Sequence, residues 1–387
     1  GFTAVSGVGY FVNTTAGAIS VNLPAGTAGD VVAIKDYINT FDTNAVTLVQ
    51  NGSDKIGGSA VNATLSTEGI AVTLVFVDST QGWLVTDDGL QSQASTAQYV
   101  TATGGTITCS GNCRIHTFTG PGTFCVSCAG NAAGSNDVSY IVIAGGGGSE
   151  TAAPADASGG GGAGGFREGK SSSTPFTASP LAAAGLSVPA QPYTITIGGG
   201  QPGTSNGSPS TFSTITSAGG GAGKLSGAGA AGGSGGGGGN GPTAFGGAGN
   251  TPPTPVSQGF DGGDGLEVNH APLNFFAGGG GGATSVGVDA TPLGSANGGN
   301  GAGTAINPSP SIGDSGPSGS LRYFAGGGAG TSVPTRPNNN PATGGYGGGG
   351  DQGVNGAANT GGGAGGEIGV ARTGGSGIVI IRYKFQN

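Results

Sequence analysis

Four cysteines lie close together in the chain, and they are the residues best suited to covalent or metal chemistry. They are Cys109, Cys113, Cys125 and Cys128, with the spacing C-x3-C-x11-C-x2-C. Two close pairs are an arrangement that zinc sites use, whereas disulfide bonds suit an extracellular chain. We expect disulfides and assign no metal; zinc remains the alternative, and the spacing leaves all three pairings open. A hairpin that turns at Gly120-Pro121 would place Cys113 opposite Cys128.

The remaining side chains offer little for catalysis. His116 alternates with its neighbours on a predicted strand and is expected to be structural, and His270 lies in a loop-like spacer. The pair Asp261 and Asp264 resembles a calcium site only in part, because the twelve-residue loop pattern is missing. The 19 acidic residues are scattered, whereas a glycosidase needs clustered carboxylates. We therefore assign no catalytic residue and expect a protein that is not an enzyme.

Two glycine motifs imitate nucleotide-binding loops. Gly145–Gly148 follows a predicted strand, as in dinucleotide-binding turns, and residues 164–171 fit the P-loop expression. Both sites need a helix directly afterwards, with its N-terminus at the phosphates. Pro154 and Pro175 interrupt the segments that follow, so we expect an exposed loop at 164–171 and no cofactor.

Composition excludes several classes of protein. Charged residues make up 8% of the 387, hydrophobic residues 34%, and the net charge is −8 without a basic run, which argues against nucleic-acid binding. No apolar run reaches the roughly 18 residues of a membrane-spanning helix. Residue 1 is Gly and no signal-like segment follows it, so we expect a processed product or a fragment.

The elements that must position these residues fall into zones. Short β-branched runs between turn residues over 1–90 predict a small β-sandwich or barrel. Residues 91–103 are a polar linker, and 104–144 hold further strands. Most of the 92 glycines lie in 145–377, in short runs separated by spacers, and 378–387 forms a closing strand.

The glycine runs are interpreted as packed rods rather than as flexible linkers. Serine is not interleaved as in linkers, and the spacers carry aromatic residues that a solvated coil does not need. A left-handed extended helix has three residues per turn and no internal hydrogen bonds, so its backbone groups need partners on neighbouring helices. Those neighbours can approach only where no Cβ intervenes. The fold class is therefore predicted as all-β plus a polyglycine II helical bundle, in which a β-framework caps a glycine-helix sandwich.

Glycine loses more conformational entropy on ordering than other residues and buries almost no apolar side chain. The bundle therefore needs a hydrophobic base. We predict that Val138–Ala144, Tyr193–Ile197 and Ile378–Phe385 come together as one sheet region at that base.

These residues also carry a family resemblance. The strand Tyr140–Ala144 that runs into Gly145–Gly148, the strand Tyr193–Ile197 that runs into Gly198–Gly200, and the closing stretch Gly374–Tyr383 resemble glycine-rich adhesins at the tail-fibre tips of tailed bacteriophages. The segment over 1–90 is similar to small β-domains in tail fibres of phages that infect cyanobacteria and other marine bacteria. The resemblance covers nearly the whole chain. It implies a polyglycine sandwich whose far loops bind a receptor on the bacterial surface, either an outer-membrane protein or a glycan.

Contact residues are expected in spacers where aromatic residues stand beside charges. These candidates are Phe166, Arg167, His270, Phe275, Phe276, Arg322, Tyr323, Arg336 and Tyr346. The alternative is that several of them pack beneath the glycine rods. The resemblance implies a virion tail fibre with other fibre subunits as partners, as a homotrimer for example. A structural subunit of an extracellular filament is the competing function.

Overall fold

The computed structural model describes residues 1–90, 97–131, 134–152, 157–268, 274–291, 296–331 and 341–386. Every regular element in these ranges is a β-strand, so the predicted all-β class is confirmed. None of the described segments forms a helix that could cross a membrane. The chain divides into two compact units, Gly1–Thr96 and Ala97–Asn387. The finer division predicted from composition stays a prediction.

The first unit consists of two four-stranded sheets. Its strands are β1 (Phe2–Thr3), β2 (Val8–Val12), β3 (Ile19–Asn22), β4 (Val31–Asp36), β5 (Val46–Val49), β6 (Ala63–Leu65), β7 (Ile70–Phe76) and β8 (Trp83–Leu90). They form sheets in the orders β1-β3-β5-β6 and β2-β4-β7-β8. Apolar residues alternate along β4 and β7 of the second sheet, and they share one core around Phe41 and Trp83 with Val21 and Leu48 of the first sheet.

The second unit begins with two larger sheets. Its strands are β9 (Val100–Thr103), β10 (Thr106–Ser110), β11 (Cys113–Phe118), β12 (Gly122–Ala129), β13 (Asp137–Ile143), β14 (Thr151–Ala152), β15 (Phe166–Lys170), β16 (Ala182–Ala184), β17 (Leu186–Ser187), β18 (Pro192–Thr196), β19 (Ser210–Phe212), β20 (Ile215–Ser217), β21 (Leu266–Val268), β22 (Asn274–Phe276), β23 (Ala302–Thr304), β24 (Arg322–Phe324), β25 (Glu367–Ile368) and β26 (Ile378–Lys384). The large sheet has the order β10-β11-β26-β13-β15-β16, with β17 also paired to β13. The smaller sheet has the order β20-β19-β18-β12-β9, and the pairs β14-β25, β21-β22 and β23-β24 lie outside both.

The prediction of a single sheet region was correct for two of its three strands. β13 and β26 are antiparallel neighbours, with Ile143 opposite Ile378. The prediction was wrong for β18, which lies in the smaller sheet beside β12. The reason is the turn after β11, where the chain crosses from the large sheet to the smaller one. The next strand, β12, lies in the smaller sheet, and β18 pairs with β12 there.

The large sheet is covered on both faces, which explains why its central strands are almost continuously apolar. Tyr140 and Tyr383 face the smaller sheet and share a core with it. Ile141 and Ile380 point the other way and pack in a second cluster with residues from the glycine-rich part, including Ala163 and Phe324. The second face of this sheet is therefore the hydrophobic base on which the glycine segments rest.

Candidate functional site

The glycine-rich segment 159–165 has backbone contacts that repeat every three residues. Its N–H groups donate to the carbonyl groups of three different segments, at 2.7–3.0 Å. The N–H groups of 159, 162 and 165 donate to the first segment, at residues 224, 221 and 218. Those of 160 and 163 donate to residues 278 and 281 of the second, and those of 161 and 164 to residues 364 and 361 of the third. Each neighbouring segment thus meets every third residue. No glycine of this segment has φ in the left-handed region between +20° and +160°.

The carbonyl groups of the same segment turn to three further segments. The oxygens of 160 and 163 accept from the N–H groups of 237 and 234, the oxygen of 161 accepts from 328, and those of 162 and 165 accept from 147 and 144. Segment 159–165 is therefore surrounded by six others, and all seven of its N–H groups and most of its carbonyl groups are bonded to main-chain partners. We call this arrangement of hydrogen-bonded segments the glycine lattice.

The close spacing of these segments requires glycine. A Cβ placed on Gly161 would lie 2.1 Å from the carbonyl oxygen of Gly147, and one on Gly280 would lie 1.9 Å from the oxygen of Gly161. Both distances are far below van der Waals contact, and the obstacle is backbone rather than a movable side chain. Ala163 is accommodated because it belongs to the apolar cluster on the large sheet.

Acidic side chains accept backbone N–H groups from other glycine segments of the lattice. Asp261 Oδ1 accepts the N–H of Gly249, and Asp264 Oδ1 accepts that of Gly246, each at 2.7 Å. Asp351 does the same for Gly344. The two aspartates considered as calcium ligands therefore satisfy backbone donors. No group of three or more His, Cys, Asp or Glu residues that could hold a metal ion occurs in the described ranges.

The expected disulfides are not formed, and all four cysteines are free thiols. The hairpin that would have paired Cys113 with Cys128 does not exist, because β11 and β12 lie in different sheets. Cys109 is paired in register with Arg114, so the next residue along, Cys113, points to the opposite face of the sheet. Cys125 and Cys128 are three residues apart on one strand, roughly 10 Å if fully extended, beyond the reach of a disulfide.

The two motifs that imitate nucleotide-binding loops have structural roles. Residues 166–170 of the P-loop match form β15, which pairs with β13 and β16, so the expectation of an exposed loop was wrong. Gly145–Gly148 continues from β13 into the lattice, where the N–H of Gly147 donates to the oxygen of Gly162. Neither segment is followed by a helix in the described part of the chain.

His116 is fully buried and has a structural environment, as expected. Its Nδ1 lies 2.7 Å from the carbonyl oxygen of Gly104, and its ring stacks on Tyr383. Burial lowers the pKa of His116 below its usual value, and the charge of Arg114 adds to this, while the bond to Gly104 opposes it.

Three of the predicted contact residues make their described contacts within the fold. Phe166 is 1% exposed and packs in the cluster on the large sheet, and Phe276 is 3% exposed. Arg322 donates from Nε and from one terminal nitrogen to the carbonyls of Ile312 and Gly313, both at 2.6 Å, so it fixes a loop. For these residues the alternative interpretation, packing within the fold, is the one that the structure favours.

Two of the predicted residues come together at the surface. The rings of Tyr323 and Tyr346 lie 6.3 Å apart, and Tyr346 is 49% exposed. Arg167 is half-buried on β15 and donates to the carbonyl of Thr216. Phe275 lies on β22 opposite Glu267, but its side chain is outside the described part, as are His270 and Arg336 altogether.

Sequence reasoning missed a surface groove that Tyr346 also lines. The groove encloses about 490 Å³, and its other walls are Ser285, Val286, Val288, Asn297, Gly298, Asn300, Thr343 and Gly344. A signal was present in the sequence: Asn297 and Asn300, like Thr343 and Tyr346, are separated by two glycines. That spacing places both side chains on one side of a segment with a three-residue repeat.

Two comparisons relate this chain to known proteins. It is 38% identical over 77 residues to baseplate wedge protein gp10 of Enterobacteria phage T4, a match that covers 19% of this chain and 13% of that protein. The sequence profile of the glycine-rich domain family matches residues 119–384, which include β12 to β26 and the lattice but not the strands β9, β10 and β11. The chain belongs to the glycine-rich domain family.

Proposed function

We propose that the lattice is a bundle of polyglycine II helices and that the protein is a phage tail-fibre receptor-binding protein, which presents variable loops on this scaffold. The observation that carries the proposal is the three-residue repeat of the contacts of segment 159–165, with six neighbouring segments. Three residues per turn is the period of this type of helix. A scaffold of main-chain contacts leaves the spacer side chains available for binding.

The partial similarity to a phage baseplate protein supports a structural protein of the virion. Within that class, an exposed tyrosine surface on a rigid scaffold favours binding, because aromatic residues contribute much of the energy of protein recognition. The proposed partners are a receptor on the bacterial surface and other tail-fibre subunits. The proposal assigns adhesion rather than catalysis.

The test uses the full chain, labelled with a fluorophore, on a panel of marine bacteria and cyanobacteria. We expect saturable adsorption to a subset of strains and inhibition of the phages that infect those strains. A variant with Tyr323→Ala and Tyr346→Ala should adsorb at least tenfold more weakly. Phe245→Ala, which removes an exposed aromatic residue elsewhere, serves as the matched control. Equal adsorption to every strain, or none, would contradict the proposal.

A filament subunit is the second candidate. One observation favours it: β2 is an edge strand of its sheet, and its Phe11 is 75% exposed. Unpaired edges of this kind can join copies of a chain. Light scattering after size exclusion separates the two functions. A receptor-binding protein keeps a fixed molar mass, whereas the assemblies of a filament subunit increase in mass as the protein concentration rises.

A further inference from the structure

Three lattice segments lie side by side under the groove lined by Tyr346. The N–H of Val288 donates to the carbonyl of Asn297 at 2.9 Å, and the N–H of Thr343 donates to Asn297 Oδ1, also at 2.9 Å. Segment 297–300 is therefore the middle one, between 285–288 and 343–346.

A second row of contacts joins the same segments at their other ends. The N–H of Asn300 donates to Ser285 Oγ at 2.8 Å, and the N–H of Tyr346 donates to Asn300 Oδ1 at 3.3 Å. The six side chains thus form two rows, Val288, Asn297 and Thr343 in one, and Ser285, Asn300 and Tyr346 in the other. In a helix with three residues per turn, the rows are about 9 Å apart.

The asparagines of the middle segment are fixed in orientation. Each uses its Oδ1 to accept a backbone N–H from segment 343–346, at Thr343 for Asn297 and at Tyr346 for Asn300. An amide that accepts through its oxygen still has two N–H donors on its nitrogen. Both residues line the groove, so each brings an oriented pair of donors to it.

The walls of the groove are apolar or neutral. Val286 is 55% exposed, Val288 45% and Tyr346 49%, so apolar surface borders the amide donors. None of the described residues that line the groove carries a charge, and the net charge of the chain is −8. Charge complementarity therefore favours a neutral ligand over an anionic one.

We propose that this groove binds a neutral saccharide unit of a surface glycan, an inference that rests on the proposed receptor-binding function. A sugar ring has an apolar C–H face and a rim of hydroxyl groups. The ring of Tyr346 receives the C–H face, and the amides of Asn297 and Asn300 donate to the hydroxyls. The two rows accommodate two consecutive units of a glycan.

The test measures binding of the full chain to an immobilised panel of neutral oligosaccharides built from glucose, galactose, mannose and N-acetylglucosamine. Sulfated and sialylated oligosaccharides on the same panel provide the charged comparison. Asn297→Asp and Asn300→Asp keep the oxygen that holds the neighbouring N–H but replace the amide donors, so the lattice stays intact. Tyr346→Ala removes the ring, and Phe245→Ala is the control outside the groove.

We expect the native chain to bind at least one neutral oligosaccharide and the Asn300→Asp and Tyr346→Ala variants to bind it at least tenfold more weakly, with Phe245→Ala unchanged. Binding of charged oligosaccharides alone, of none, or of the same ones by every variant overturns the saccharide site.

The cell assay separates this site from the receptor-binding function. If the native chain adsorbs to bacteria, but excess neutral oligosaccharide does not compete and Tyr346→Ala adsorbs normally, the saccharide site is wrong and receptor binding stands, with a surface protein as the receptor. If the chain binds oligosaccharide through Asn300 and Tyr346 but adsorbs to no bacteria, the site stands and the host-adhesion function fails.

Discussion

The imidazole Nε2 of His116 lies 3.0 Å from the hydroxyl oxygen of Tyr383, although 267 residues separate the two in the chain. In the neutral ring, Nδ1–H donates to the carbonyl of Gly104 and Nε2 accepts from the Tyr383 hydroxyl. The ring thus pairs one buried acceptor and one buried donor between the large sheet and the smaller sheet. The pair joins β11, near the start of the second unit, to its closing strand β26.

His116 should make the protein less stable in mild acid. Because burial lowers the pKa of His116 in the folded state, the unfolded chain binds more protons once the pH falls below about 6.5, and stability falls with it. His116→Phe should cost about 1–3 kcal/mol at pH 7.5, since it removes the partner of the buried Gly104 carbonyl and one hydrogen bond of the Tyr383 hydroxyl. Urea unfolding at pH 7.5 and pH 5.5 should show a smaller difference between native chain and variant at the lower pH. An unchanged difference would count against this role.

Glu168 should have the opposite dependence on pH. Its oxygens accept from the N–H of Ser179 and the hydroxyl of Thr304, but burial is the larger influence and raises the pKa of Glu168 above 4.5. The folded state then favours the protonated form, so its contribution is complete below about pH 4.5 and is lost as the pH rises through the folded pKa. In Glu168→Gln, the amide oxygen can accept the N–H of Ser179 and the amide nitrogen can donate to the Thr304 hydroxyl, so the variant should gain stability relative to the native chain between pH 4.5 and 7.

The control for this measurement is Glu68→Gln, because Glu68 is exposed. It should show no gain over the same range. A parallel pH response of the native chain and Glu168→Gln would exclude a raised pKa at this carboxyl group.

A methyl group in the lattice should be far more damaging than one outside it. Gly161→Ala places Cβ against the oxygen of Gly147 and should destabilise the second unit by about 3 kcal/mol or more. Gly319→Ala is the matched control, because a Cβ there has no atom within 4 Å, and its effect should stay within about 1 kcal/mol. Trp83, the single tryptophan, is buried in the first unit, so its fluorescence should report unchanged unfolding of that unit. Equal effects of the two substitutions would contradict the packing described here.

The cysteines should behave as four thiols. Intact mass should not change on reduction, whereas each disulfide would add about 2 Da. In the native chain a thiol reagent should modify the exposed Cys109 and Cys125 quickly and the buried Cys113 slowly, and urea should remove that difference. A mass increase on reduction would show that the sheet register around β10 and β12 differs from the one described.

The sequence predicted those parts of the fold that depend on local pattern. The apolar runs at β13 and β26 identify buried central strands, and the glycine runs indicate segments that contact and hydrogen-bond one another. It could not predict which sheet β12 and β18 join, because the turn at 119–121 suits a hairpin as well as a crossing between sheets. The same ambiguity concerns the cysteines, because Cys113 would face Cys128 only if that turn formed a hairpin.

The candidate site was predicted less well, and for a different reason. Phe166 stands beside Arg167 and Glu168, a context typical of a surface loop, but strand alternation turns its ring into the core. Asn297 and Asn300 were overlooked because polar residues between glycines suggest a solvated spacer. Their three-residue spacing gains meaning only once the neighbouring segments are known.

The six-neighbour environment of segment 159–165 has a consequence for the history of such chains. Its hydrogen bonds join main-chain atoms of glycine segments, so the interior does not specify which residues occupy the spacers between those segments. Spacer sequences can then be exchanged, shortened or replaced without a compensating change inside. Surfaces of this construction can diversify while the body beneath them stays constant.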